Sequence, residues 1–384
     1  MVNTLIFSIL QRIPKSFVMN KNTKVEDKST ELVSILKEQF QGKLNLARIK
    51  FLSLFIVALC KVQTVNFEKL SSAFNSTAKA SSSHRRIQRF IGLYNLCPDL
   101  VARLIFSLLP KKEKLVLTID RTNWKFGKTN INIFMLGVAY KGLSFPVMFS
   151  LLNKRGNSNS SERIDLVKRF INLFGQDCID CLVADREFVG ESWLEFLNEH
   201  RIRYYIRIRN NFKLYLPYKS KEVKANWLFN SLDVGQFKHY SKLVRIGDQL
   251  CYISGCKIKG KDGKIDFLII ASFNKPDQAK FFYEKRWQIE TCFKAMKSSG
   301  FDIEKTHLSE IPRLQNLILL VMLAFVWCYK VGIFLHYNVN KVKTKKHGRK
   351  AMSLFKYGLK YIASVLLNPV CQDDIHIEKF LSCT

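Results

Sequence analysis

The stretch KLVLTIDRTNWKFGKTNINIFMLGVAYKGLSFPVMFSLL, residues 114–152, is where the periodicity of the chain changes. Upstream, in ELVSILKEQF and LSLFIVALCKV, apolar residues recur at spacings of three and four, so residues 30–110 read as helices. Within it, KLVLTID, INIFMLGVAY and LSFPVMFSLL are short, β-branched and aromatic, and Gly142 separates the second from the third. That order predicts a three-stranded antiparallel meander. Downstream, SERIDLVKRFINLFG reads as an amphipathic helix, CIDCLVAD as a buried strand, ESWLEFLNEH as a helix and RYYIRIR as a strand.

Three strands followed by alternating helix and strand is the order of a ribonuclease-H-like α/β domain. Residues 213–270 interrupt the alternation with short strand candidates, KLYLP, DQLCYISGCKI and KIDFLIIASF, among turns such as KGKDGK. They read as a β-rich insertion. KVKTKKHGRK, residues 341–350, holds six Lys or Arg and no acid and reads as an exposed basic connector before a short amphipathic end. The expected layout is a helical DNA-binding region over 1–110, a core over 111–212 and 271–340 split by the insertion, and a C-terminal segment over 341–384.

The 384 residues are enough for two or three domains, and 47% hydrophobic content excludes a disordered chain. The 62 Lys and Arg against 31 Asp and Glu leave +31, spread over the whole chain, which calls for a polyanionic partner, nucleic acid before an anionic membrane surface. SSSHRRIQRF puts a capping region at Ser81–Ser83 ahead of His84, Arg85, Arg86 and Arg89. Cations in a first turn oppose the helix dipole and so suit an external phosphate, although a solvated basic face has the same composition. No cleavage site follows the apolar TLIFSIL at residues 4–10, so the ten cysteines are expected to be reduced thiols. Cys178 and Cys181 form one CxxC without a partner pair and read as part of a buried strand. LILLVMLAFVWCYKVGIFL, residues 317–335, carries Lys330 and is expected to be a buried helix, not a membrane span.

Asp120 and Asp185 are each the first charged residue after an apolar strand, where a carboxylate is held rigidly at a sheet edge; an Asp there also serves as a turn former. In FFYEKRWQIETCFKAMKSSG, residues 281–300, helical periodicity puts Tyr283, Arg286, Glu290 and Lys297 within roughly 60° of one another. A solvated ion-pair face would look the same. Clustered carboxylates repel and are tolerated when a cation sits between them, and phosphodiester chemistry uses such clusters to hold two hard divalent ions.

LTIDRTNWKFGKTNINIF, LVADREFVGESWLEFL and YEKRWQIETCFKAMK resemble the three catalytic blocks of DDE transposases from bacterial insertion sequences. The last matches the Y-(2)-R-(3)-E-(6)-K pattern of the insertion-sequence-four family, and the similarity spans roughly residues 81–310. The resemblance implies a ribonuclease-H-like core interrupted by a β insertion, for which the 105 positions from Asp185 to Glu290 leave room. It implies that Asp120, Asp185 and Glu290 hold two Mg²⁺, with Mn²⁺ able to substitute, and that Tyr283, Arg286 and Lys297 grip terminal phosphates. It also implies an aromatic in the insertion that stacks a flipped base, with Trp227, Tyr240 and Tyr252 as candidates and Trp227 equally readable as core.

The implied activity is cut-and-paste transposition. A homodimer would bind terminal inverted repeats in double-stranded DNA, cut them and join the ends to target DNA, in the bacterial cytoplasm at the nucleoid and away from membrane. A metal-dependent nuclease without strand transfer, and a domesticated DNA-binding protein without chemistry, are the alternatives.

Overall fold

The computed structural model describes residues 28–74, 76, 78–110, 114–260, 262–346, 348–368 and 375–382. The TLIFSIL segment lies outside them. Among the described residues five helices come first: α1 Lys28–Gln39, α2 Leu46–Val62, α3 Phe67–Ser72, α4 Ala80–Leu93 and α5 Pro98–Ser107. Then β1 Leu115–Phe126, β2 Thr129–Tyr140 and β3 Leu143–Leu151 form the antiparallel meander. Two-residue turns join them, and the second has positive φ at both Lys141 and Gly142, the conformation that suits the twist of a tight hairpin.

Helix α6, Ser160–Phe174, crosses over to β4, Ile179–Ala184, which lies parallel to β1; α7, Glu191–Glu199, leads on to β5, Tyr204–Ile208, parallel to β4. Asn159 and Glu162 start α6 with a reciprocal capping box. Cys181 is buried in β4 as expected, but Cys178 lies just before the strand and is only half-buried.

The strands that follow extend the same sheet. These are β6 Lys213–Leu216, β7 Lys221–Lys224, β8 Lys238–His239, β9 Val244–Ile246, β10 Gln249–Lys259 and β11 Ile265–Ser272. β11 pairs antiparallel with β5, and the order across the eleven strands is β3-β2-β1-β4-β5-β11-β10-β9-β6-β7, with β8 beside β10. The result is a mixed α/β fold around one large sheet.

Helices α8 Ala279–Tyr283, α9 Trp287–Met296, α10 Ile311–Phe334 and α11 Leu354–Leu367 complete the fold. Among the described residues one helical stretch, Ile311–Val339, is long and apolar enough to cross a membrane, but 83% of its most apolar window is buried inside the protein. It is the axis against which α2, α4, α5 and α11 pack. A Cβ on Gly332 would collide with the Leu354 carbonyl, and one on Gly358 with the Cys328 carbonyl, so glycine on both helices permits the close approach of α10 and α11. Asn316 is the polar exception on this axis. Its amide donates to the Ile91 carbonyl at 3.0 Å and to the Tyr94 carbonyl, and its Oδ1 accepts from the Leu96 amide at 3.1 Å, which ties the α4–α5 connection to α10.

Candidate active site

Asp120 stands in the middle of β1, not at the strand's exit as its sequence context suggests. The strand runs on to Phe126 because Arg121–Phe126 keep pairing with Thr129–Phe134. The parallel partner stops sooner: the last β1–β4 rung is Thr118↔Val183, and Asp185 follows the end of β4 at Ala184. Asp120 and Asp185 thus lie two residues beyond the same rung, so both carboxylates leave neighbouring strands at one level.

The Arg121 amide donates to Asp120 Oδ1 at 2.7 Å. Burial pushes the Asp120 carboxyl up to about 7; that amide and the Arg286 guanidinium oppose the rise, while Glu187 and Glu290 add to it. Asp120 therefore sits in the fields of two other carboxylates.

The segment after β11 carries the remaining groups, and it is not one helix. One 3₁₀ turn, Glu284–Arg286, separates α8 from α9. Tyr283 is buried and its hydroxyl donates to Asp185 Oδ1 at 3.2 Å; burial pushes that hydroxyl up to about 12, so it stays protonated. Arg286, only 3% exposed, donates from Nη1 to Glu290 Oε1 at 2.5 Å. Burial works against the cation, yet Tyr283 and Glu290 hold its pKa above the ordinary value. The guanidinium lies 4.6 Å from the Trp287 ring centroid and 5.6 Å from that of Tyr283.

Lys297 is the C-cap of α9, its N–H donating to the Phe293 carbonyl at 2.9 Å. Helix α9 ends at Met296 and Lys297 adopts ψ −115°, because the chain turns to bury Phe301 and Ile303. Its Nζ pairs with Glu304 Oε1 at 2.6 Å and lies 5.3 Å from the Trp124 ring on β1. The structure thus joins Tyr283 to Asp185 and Arg286 to Glu290, and sets Lys297 beside the outer half of β1.

Three residues of the site carry no signal in the strand pattern. Arg121 makes a two-pronged contact with Glu187, at 3.2 Å from Nε and 3.1 Å from Nη2. Arg163, buried on α6, donates to the carbonyls of Ser158, Glu187 (2.9 Å) and Val189 (3.4 Å), and so pins the loop that carries Asp185. A signal for Arg163 did exist: it falls on the buried face of α6 with Leu166, Val167 and Phe170.

The N-terminal cations differ in setting. The N-cap of α4 is Lys79, which makes no side-chain cap, so Ser81–Ser83 lie inside the helix and do not form the capping region their sequence suggests. Arg85 and Arg89 are exposed, whereas Arg86 is half-buried with its guanidinium 5.7 Å from the Phe51 ring. In the inserted strands Trp227 is 50% exposed on a 3₁₀ turn whose Ala225 and Phe229 are buried, so it is not a core residue. The Tyr240 hydroxyl is bonded to that of Tyr218, and Tyr252 pairs with Ser272 in the sheet.

Residues 111–327 match the family described as the transposase DDE domain, more than half of the chain. The chain belongs to the DDE transposase family. No curated protein sequence matches the transposase. Among solved structures it resembles the piggyBac transposase of a cryo-electron-microscopy synaptic complex with hairpin DNA, at 13% identity and a TM-score of 0.40, covering 96% of this chain and 81% of that one. That likeness is too distant to place individual residues.

DDE transposases generally use divalent metal ions. Among the described residues no three His, Cys, Asp or Glu side chains are gathered closely enough to hold one. The donor chemistry nonetheless fits: Asp120 is a half-buried carboxyl whose charge is disfavoured by desolvation and by Glu187 and Glu290, and hard oxygen donors in that condition suit a hard cation. Arg286 and Tyr283 hydrogen-bond Glu290 and Asp185.

Proposed function

We propose that this transposase is a member of the insertion-sequence-four group, with a ribonuclease-H-like core, that binds the terminal repeats of its element as a dimer, cuts them and joins the freed ends to target DNA. The observation that carries the reading is the placement of Asp120 and Asp185 beyond one rung of β1 and β4, with Glu290 linked to the same cluster through Arg286. The sheet order β3-β2-β1-β4-β5, three antiparallel strands followed by two parallel ones, supports the core assignment.

Asp120, Asp185 and Glu290 would hold two Mg²⁺ or Mn²⁺ ions, which supply activation of the attacking oxygen and stabilisation of the leaving one. The chain's own groups prepare that site. Tyr283, a protonated donor, holds one oxygen of Asp185 and leaves the other available. Arg286 fixes Glu290 from below; being buried, it acts through that carboxylate before it acts on any phosphate. Lys297, exposed Arg85 and Arg89, and Arg86 in part, supply cations for the DNA backbone. Trp227, half exposed among the inserted strands and with the largest ring, is the favoured partner for an extruded base.

The test is an end-cleavage assay with purified protein on a duplex carrying the repeat that flanks its coding sequence. Mg²⁺-dependent cutting at the repeat, followed by joining to a plasmid, is the expected result. Cutting without joining would mark a nuclease, and DNA binding without either would mark a protein that has lost its chemistry.

A further inference from the structure

The hairpin of β1 and β2 has a second face, opposite Asp120. It presents Arg121, Asn123 and Lys125 on β1, with Asn132 across from Asn123 and Asn130 across from Lys125. The loop after β3 folds over this face and encloses a cleft of about 360 Å³, lined by Asn123, Trp124, Lys125, Asn130, Lys154 and Arg155 among others. Asn132, 2% exposed, fixes the loop there: its Nδ2 donates to the carbonyls of Lys154 and Gly156 at 3.1 Å each, and its Oδ1 accepts from Arg121. Arg155 Nε donates to Asn130 Oδ1 at 3.2 Å, which sets its guanidinium at the cleft. The cleft is built, therefore, and not a chance gap between lysines.

Its chemistry has one sign. From Arg121 to Ser161 the chain holds six Lys or Arg and no acid. The nearest carboxylates are already engaged, Glu162 with Lys154 at 2.8 Å and Glu187 with Arg121 at 3.1 Å. Lys125 and Arg155 are exposed. Amide donors beside uncompensated cations suit a chain of phosphodiesters, with cations countering its charge and amides bonding its oxygens.

We infer that this cleft is a second binding site for a DNA phosphodiester backbone, on the face of β1 that does not carry Asp120. The inference rests on the transposase reading. The backbone that fits is that of DNA leading away from the scissile phosphate, either the donor end or the target.

The experiment compares wild type with a Lys125→Ala/Arg155→Ala variant, using a fluorescent end duplex titrated over a range of salt. Loss of these contacts should weaken binding about tenfold and reduce the slope of log K against log salt by about 1 to 2. A Lys125→Arg/Arg155→Lys variant should keep the slope, which separates charge from misfolding. Strand transfer from a pre-cut end into a plasmid identifies the source. A defect in end binding points to donor DNA, and a defect confined to transfer points to target DNA; either supports the site. Wild-type slope, affinity and transfer in the Ala variant, with a wild-type enzyme that cuts, overturns the inference alone. A wild-type protein that neither binds nor cuts DNA overturns the transposase reading and the inference with it.

Discussion

The hydroxyl of Tyr283 reaches Asp185 across 98 residues of sequence, at 3.2 Å from Oδ1. The bond ties the segment after the last strand to the loop after β4, so the position of Asp185 depends on an element made much later in the chain. Tyr283→Phe removes the hydrogen bond at a stability loss of about 1 kcal/mol. Cleavage should suffer more, on the order of 10-fold to 100-fold, because a reacting group displaced by about 1 Å loses that much rate. A Phe variant that cuts at the wild-type rate would show that Asp185 is oriented without Tyr283.

Alanine at Asp120, Asp185 or Glu290 should abolish cleavage and leave end binding nearly intact, since affinity comes from the many Lys and Arg of a chain carrying +31. Gel shift and cleavage measured on one preparation decide it. An Asp120→Ala protein that still cuts would remove Asp120 from the site.

Asp120 also predicts how the metal-free protein responds to pH. The free carboxyl titrates near 3.8 and the folded one at about 7, so between those values the folded state holds the extra proton and stability falls as pH rises. Asp120→Asn should remove this slope and be more stable than wild type near pH 7 by a few kcal/mol. Mg²⁺ should raise the wild-type melting temperature more at about pH 8 than at about pH 5, since it binds the ionised form. Superimposable melting curves for Asp120→Asn and wild type across this range would contradict the burial of a strained charge.

Asn316→Ala should destabilise the protein by about 3 kcal/mol, because two carbonyls and an amide of the α4–α5 connection lose their partner. Chemical denaturation measures this directly. Protease sensitivity should rise around Tyr94–Leu96, while a uniform loss of protection would argue against a local role.

Among the inserted aromatics, Trp227→Ala should spare nicking and reduce the hairpin product at the element's end, if strands are released through a hairpin. A stacked base contributes roughly 1–3 kcal/mol, or about 5-fold to 150-fold in hairpin yield. Tyr240→Ala and Tyr252→Ala should have smaller effects, one ring being tied to Tyr218 and the other set in the sheet. The same loss in a Tyr variant with none in Trp227→Ala would move the role to that tyrosine.

The meander was legible because strand period and two-residue turns are local signals, and Asp185 was legible because β4 stops where its apolar run stops. Asp120 reads as a strand end because the apolar run stops there and Arg121–Asn123 are polar; only pairing with β2 keeps the chain extended beyond it. At Lys297 the helical spacing ends, because its ψ of −115° turns the chain that follows it toward buried Phe301. Continuation of the sheet from β5 into β11 has no local signature either, since register between segments 60 residues apart is decided by the partner.

The helix Ile311–Phe334 has a consequence for the order in which the protein can be made. Helices α2, α4 and α5 bury their apolar faces against it, and Asn316 donates to carbonyls at the end of α4 and just after it while accepting from the Leu96 amide. On the ribosome these helices emerge more than 200 residues before their partner, at about 5–20 residues per second. Through that interval their apolar faces lack the partner they bury against in the folded protein, so the nascent chain is most open to aggregation before the axis arrives.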